Sequence, residues 1–140
     1  MDLAKRKPSP ISGRQMVEVA SKTSFFPDKE AGIAMMQALA DEIGLRADSG
    51  MSTYSASTPR VLLTGVPVGL GSHKAVRLVE ECGGNVVCLD NCSGYKKTAV
   101  MLDEDADPLG GMARRYLDVP CAVMSPNPNR YSSIARLVGE

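Results

Sequence analysis

Residues 60–92 read RVLLTGVPVGLGSHKAVRLVEECGGNVVCLDNC, and this stretch decides the fold. Arg60 to Thr64 is a short apolar, β-branched run that empties into a loop holding Gly65, Pro67, Gly69 and Gly71, the pattern of a buried strand followed by a turn. Ser72 is a suitable N-cap. Behind it Ala75, Val76, Val79 and Cys82 recur at helical spacing, and Gly83 with Gly84 ends the pattern where a left-handed C-cap belongs. Asn85 to Leu89 is again continuously apolar, as expected of a parallel strand covered on both faces. The unit is βαβ.

Working outward toward the N-terminus, residues 46–59 are rich in Ser, Thr and Gly with little periodicity and read as a linker. Before it, Ser12 and Gln15 have capping-box spacing, with Ile11 and Met16 as the accompanying hydrophobic staple, so a helix is expected from about Gly13 to Lys22. The segment TSFFP breaks it. Asp28 can cap a second helix whose Ala31, Met35, Ala38, Leu39 and Ile43 form a stripe ending at Gly44. Residues 11–45 therefore read as a helical hairpin, and the basic, Pro-containing residues 1–10 as a flexible tether.

Toward the C-terminus, Asp107 followed by Pro108 marks a helix start, and Leu109, Met112, Ala113 and Tyr116 continue a stripe. Val119 to Met124 reads as a third strand. A last helix opens at Asn127 or Asn129, with Ile134, Leu137 and Val138 facing inward. The expected fold is α/β, a flavodoxin-like parallel sheet of about three strands over residues 60–140. Such sheets usually carry more strands, so the expectation is a partial domain completed by further polypeptide.

At 140 residues and 44% hydrophobic, the chain can bury one ordinary core. Its 16 basic and 16 acidic residues cancel, which leaves a nucleic-acid role without electrostatic support. No apolar run is long enough to span a bilayer, and the charged N-terminus lacks a signal-type apolar stretch, so a cytoplasmic protein is expected. Four cysteines without CxxC spacing point to free thiols or metal ligation over disulfides.

In an open α/β sheet, ligands bind at the carboxyl ends of the strands, here the Gly-rich loop, DNCSGYKK (90–97) and SPNPNR (125–130). The first loop fails both the G-x-G-x-x-G and the Walker spacings, which argues against a standard dinucleotide or P-loop site. Lys74 and Arg130 fall in first helical turns, where a cation opposes the macrodipole by roughly 0.3–1 kcal/mol. An anion between them would reverse that cost, and two solvated surface charges would have it screened. Cys82 and Cys88 fall on buried positions and read as small core residues. Cys92, in a Gly/Ser loop at a strand end, is a better candidate for a metal ligand than Cys121, which follows Pro120. Cys82 and Cys121 are expected at other heights of the sheet, so four thiolates are not expected to meet. His73 has no partner for a catalytic triad and reads as a surface residue.

GVPVGLGSHK (65–74), VRLVEECGGNVVCLDNCSGYKK (76–97) and ARRYLDVPCAVMSPNPNR (113–130), in that order, resemble the C-terminal half of the 2-hydroxyacyl-CoA dehydratase and benzoyl-CoA reductase subunit family, with wording nearest its double-cubane-cluster branch. The helical segment at Ser12 to Gly44 is similar to the insertion preceding that half. The resemblance implies an oxygen-sensitive iron–sulfur enzyme of two related subunits, fed low-potential electrons by an ATP-dependent iron–sulfur activator and acting on an acyl-CoA-type molecule by radical dehydration or reduction. It implies a binding site at Gly65, Pro67, Gly69, Lys74, Ser93, Gly94, Asn127 and Arg130, with Cys92 the candidate toward metal. The family's cluster ligands come from segments this sequence does not contain. The expectation is thus a partial subunit, inactive alone and binding no cluster alone, or else a noncatalytic acyl-CoA or anion-binding remnant.

Overall fold

A computed structural model describes residues 2–69, 71–102 and 107–140. Helix α1 (Gly13–Ser24) begins with the expected capping box: the Gln15 N–H donates to Ser12 Oγ at 3.1 Å, and the Ser12 N–H to Gln15 Oε1 at 3.0 Å. Helix α2 (Lys29–Asp48) is capped by the Asp28 carboxylate, which accepts from the Ala31 N–H at 3.0 Å. It runs past Gly44, its expected end. A glycine inside a helix costs only about 1 kcal/mol, and the left-handed residue that stops this one is Gly50, at φ 70°.

Strand β1 (Arg60–Thr64), helix α3 (Lys74–Glu81) and strand β2 (Asn85–Asp90) form the expected βαβ unit. The strands are parallel, with Arg60 opposite Asn85, Val61 opposite Val86 and, past a register shift, Leu63 opposite Leu89 and Thr64 opposite Asp90. Gly83, at φ 90°, closes α3 as its sequence demands. The expected cap Ser72 is displaced: its hydroxyl bonds Gly69, and His73 occupies the N-cap position.

The core lies where α1 meets the sheet. Val76, Val86 and Leu89 are fully buried, joined by Ile11, Met16, Val17 and Ile43 from the helical segment and by Val68. Gly13 sits so close to β2 that a methyl there would stand 2.6 Å from Val86 Cβ, so glycine is what lets α1 approach. The first ten residues, read as a tether, contribute a short 3-10 turn (Asp2–Lys5) that buries Ala4, and Ser9 and Pro10 are buried as well. The linker is held to them by Ser52 Oγ, which donates to the Ser9 carbonyl at 2.6 Å.

The expected third strand is not formed. Among the described residues the sheet has two strands, and Val119 to Met124 is a turn. Pro120 has no N–H to give a ladder. The Cys121 N–H is spent on the Val119 carbonyl at 2.7 Å, and the Met124 N–H on Cys121 at 3.1 Å. The fold is α/β all the same, with helices α4 (Pro108–Asp118) and α5 (Asn129–Gly139) on either side of that turn. Asp107 caps α4 as expected, accepting from the Gly110 N–H at 2.8 Å. The apolar stripes of these two helices were expected to face inward, yet Leu109 is 78% and Val138 70% exposed, and of the last helix's Ile134, Leu137 and Val138 only Leu137 is buried. With no third strand between them, these stripes have no sheet surface to cover.

Candidate functional site

The parallel register sets Thr64 and Asp90, the last residues of their strands, side by side at the carboxyl edge. Thr64 Oγ1 donates to Asp90 Oδ2 at 2.8 Å. Arg130, entering from the first turn of α5, places Nη1 3.6 Å from the same oxygen and donates Nη2 to Thr64 Oγ1 at 3.2 Å. Its Nη1 also donates to the Pro120 carbonyl at 3.2 Å. Asp90 is 1% exposed. A carboxylate so buried needs a charged partner and hydrogen bonds to offset its lost hydration, and one guanidinium supplies the charge while tying both strand ends to the turn before α5.

The loop after β2 folds against this cluster. Asn91 is fully buried; its Oδ1 accepts from the Ser93 N–H at 3.0 Å, while its Nδ2 has no partner among the described residues. Gly94 donates its N–H to the Asn91 carbonyl at 3.1 Å and packs on Leu89, where a side-chain methyl would come 2.5 Å from Leu89 Cβ. Ser93 and Gly94 then line an apolar cavity of about 240 Å³ that lies between the loop and the helices, with Met16, Val19, Met36 and Ile43 on its walls. Both helices therefore contribute walls to this cavity.

The thiols divide by environment. Burial pushes the Cys88 thiol up to about 11, with the Asp90 charge adding to it. The Cys121 thiol is lowered, first by a hydrogen bond from the Val123 backbone, against the opposing effect of burial, with the charges of Lys96 and Arg130 and the neighbourhood of Cys92 contributing less. Lys96 is itself only 4% exposed. Asn127 Nδ2 donates to the Cys121 carbonyl, which fixes this turn from the other side.

The residues singled out from the sequence do not share one place. Asn127 and Arg130 meet at the strand-edge cluster, Cys92 is exposed in the loop after β2, and Ser93 and Gly94 line the apolar cavity. Gly69 lines a separate cleft of about 330 Å³ with His73 and with Arg14, Glu18 and Lys22 of α1. Gly65, at φ 128°, Pro67 and Lys74 are exposed. Arg130 is paired with the Asp90 carboxylate on its inner side. Thr64, Asp90 and Lys96 were not singled out from the sequence. The available signal was position, since Thr64 and Asp90 end the two strands at the edge where α/β sheets bind ligands.

An iron–sulfur cluster does not fit the described residues. No three His, Cys, Asp or Glu side chains among them stand together as a metal site, whereas a cluster takes about four protein ligands.

A parallel βαβ unit with helices packed on it defines an α/β domain, with polar residues gathered at the carboxyl ends of its strands. The profile of the 2-hydroxyglutaryl-CoA dehydratase, D-component family matches residues 1–140, and the chain belongs to that family. It is 33% identical over 138 residues to an Escherichia coli (strain K12) protein named "Putative dehydratase subunit YjiM". That alignment takes in 99% of this chain and 36% of the relative, so the chain spans about a third of that protein's length.

Proposed function

We propose that this chain forms the strand-edge wall of a dehydratase subunit's binding site for an acyl-CoA-type thioester, working in the cytoplasm beside a related subunit. The observation that carries the reading is the apolar cavity at Ser93 and Gly94, which suits a short acyl group and takes part of its lining from the loop that follows β2, at the edge where α/β sheets take ligands. Lys74, exposed at the start of α3, is the proposed contact for the phosphates of the CoA moiety, with Gly65, Pro67 and Gly69 giving the backbone room to approach. Asn127 and Arg130 shape the site by holding the Cys121 turn against the sheet. Family membership supports the wider reading, in which the whole enzyme carries an iron–sulfur cluster, receives electrons from an ATP-dependent activator and removes a hydroxyl from, or reduces, its thioester. The ligands for that cluster would come from polypeptide other than these residues. A second reading, ligand binding without chemistry, is favoured by the neutralisation of Arg130 by Asp90, which leaves that cation a structural task.

Calorimetric titration with a short-chain acyl-CoA and with free CoA tests the binding common to both readings. The acyl-CoA is expected to bind at least tenfold more tightly than CoA, with the preference lost when Ala40, on the cavity wall, is replaced by Phe, and with both affinities lowered by Lys74→Ala. Equal affinity for the two ligands, or no binding of either, overturns the assignment. Dehydration of a 2-hydroxyacyl-CoA by the assembled subunits and activator, absent from this chain alone, separates the catalytic reading from the binding one.

A further inference from the structure

We propose that α4 presents a self-complementary apolar face on which a second copy of this chain docks, the two α4 helices crossing antiparallel about a twofold axis at Ala113. Of the residues of α4 only Gly111 is buried. Arg115, on the same side of the helix, is half-buried and donates Nε to the Val100 carbonyl at 2.9 Å, so this is the side that rests on the molecule. At about 100° per residue, Leu109, Ala113 and Leu117 run along the opposite side, with Tyr116 and Gly110 flanking them. The ridge points away from its own fold: Leu109 is 78%, Tyr116 61% and Leu117 72% exposed, and Ala113 is exposed between them. A helix this short is marginal in water unless its apolar face is packed, and here the apolar face is the unpacked one.

Surface area sets the size of the cover that is needed. The chain exposes 9073 Å², whereas a folded monomer of 14.9 kDa is expected to expose about 7,000 Å². The surplus, about 2,000 Å², exceeds the roughly 800 Å² that each partner gives to a stable interface. The order of residues along the ridge says what fits it. In an antiparallel pair centred on Ala113, Leu109 of one copy meets Leu117 of the other, and Tyr116 lies over Gly110, whose missing side chain leaves room for the ring. The two Ala113 methyls meet at the axis, where a small residue lets the helices approach. Every contact recurs across the axis, as an isologous interface requires. Arg114, at the margin of the ridge, falls opposite Met112 and not opposite its own copy, so its stem covers apolar surface without like charges meeting. The 16 basic and 16 acidic residues of each chain leave two copies without net repulsion. None of the ridge residues lines the cavity at Ser93 and Gly94, so the inference stands apart from the thioester reading.

Sedimentation velocity of the 140-residue chain over a concentration series tests it. The wild type is expected to sediment at twice the 14.9 kDa of one chain, with a Kd of about 10 µM or tighter. Ala113→Glu sets two carboxylates at the axis and should weaken association at least tenfold. Val138→Glu, on the exposed face of α5, should leave association unchanged. Glutamate is a good helix former, so α4 accommodates it. Should Ala113→Glu lose helical circular dichroism, Leu117→Gln is the second variant, with the same weakening expected. A wild type that stays monomeric up to about 100 µM leaves the ridge to a different polypeptide and overturns the proposal. So does a dimer that the folded ridge variant leaves intact or that Val138→Glu disrupts equally. An assembly that grows past two copies overturns it as well, because a closed twofold contact does not propagate.

Discussion

Replacing Arg130 by Ala removes the charge partner of a buried carboxylate, and the size of the effect follows from the contacts. At 3.6 Å and an effective dielectric of 20, the Asp90–Arg130 attraction is roughly 4–5 kcal/mol before desolvation is counted. Breaking a buried pair from one side typically costs about 3–5 kcal/mol, since the surviving charge is left without compensation. Asp90 keeps its hydrogen bond from Thr64 at 2.8 Å, and the Arg130 side chain is 20% exposed, so water can enter behind the truncation. Both facts place the expected loss at the low end, about 2–3 kcal/mol. For a chain of this size that is a fall of roughly 10 °C in Tm. Urea unfolding followed by circular dichroism should show a lower midpoint with an unchanged slope. Asp90→Asn in the same background should recover part of the loss, because the uncompensated charge is then gone. A loss below about 1 kcal/mol, or no coupling between the two substitutions, would refute the idea that this ion pair secures the strand edge.

Two further outcomes are expected. Gly94→Ala forces a methyl to 2.5 Å from Leu89 Cβ in a buried loop, and overpacking of this kind should cost about 1–3 kcal/mol and close part of the apolar cavity, measurable as a lower urea midpoint together with weaker acyl-CoA binding. The Cys88 thiol rises from 9.0 to about 11 on folding, so the folded state holds its proton more tightly than the unfolded chain does. Its contribution to stability is complete below pH 9 and lost as pH rises through about 11. Cys88→Ala should flatten the decline in Tm over that window, and an unchanged slope would remove burial of this thiol as a cause.

Much of the local structure was legible because its causes are local. The Ser12–Gln15 box, the Asp28 cap and the Asp107–Pro108 start are each specified by side chains within four residues of the backbone groups they satisfy. Gly83 was legible for the same reason, since a left-handed residue must close α3 wherever the helix packs. The failures share the opposite property. Val119 to Met124 has the composition of a strand, but a strand exists only if a neighbour accepts its ladder. Here Pro120 withholds a donor and the Cys121 N–H folds back on Val119. The helix stripes flanking that turn are periodic yet exposed, because periodicity marks an apolar face and says nothing of whether a surface is there to cover it.

The candidate site shows the same division. Arg130, Ser93, Gly94 and Cys92 could be picked out because strand-end loops are where α/β sheets present chemistry. Asp90 read only as the start of a polar loop, and its burial beneath Arg130 depends on β1 and β2 pairing so that Thr64 faces it. The sequence by itself determined the βαβ unit around residues 60–92 and most of the helix starts, since these follow from hydrophobic period and from caps that close over a few residues. Only the tertiary structure decided that Arg130 would be neutralised by a buried carboxylate and that the helices would wall a cavity with Ser93 and Gly94. Those outcomes are pairings between segments distant in the chain, and a pairing has no energy until the fold has brought both partners together.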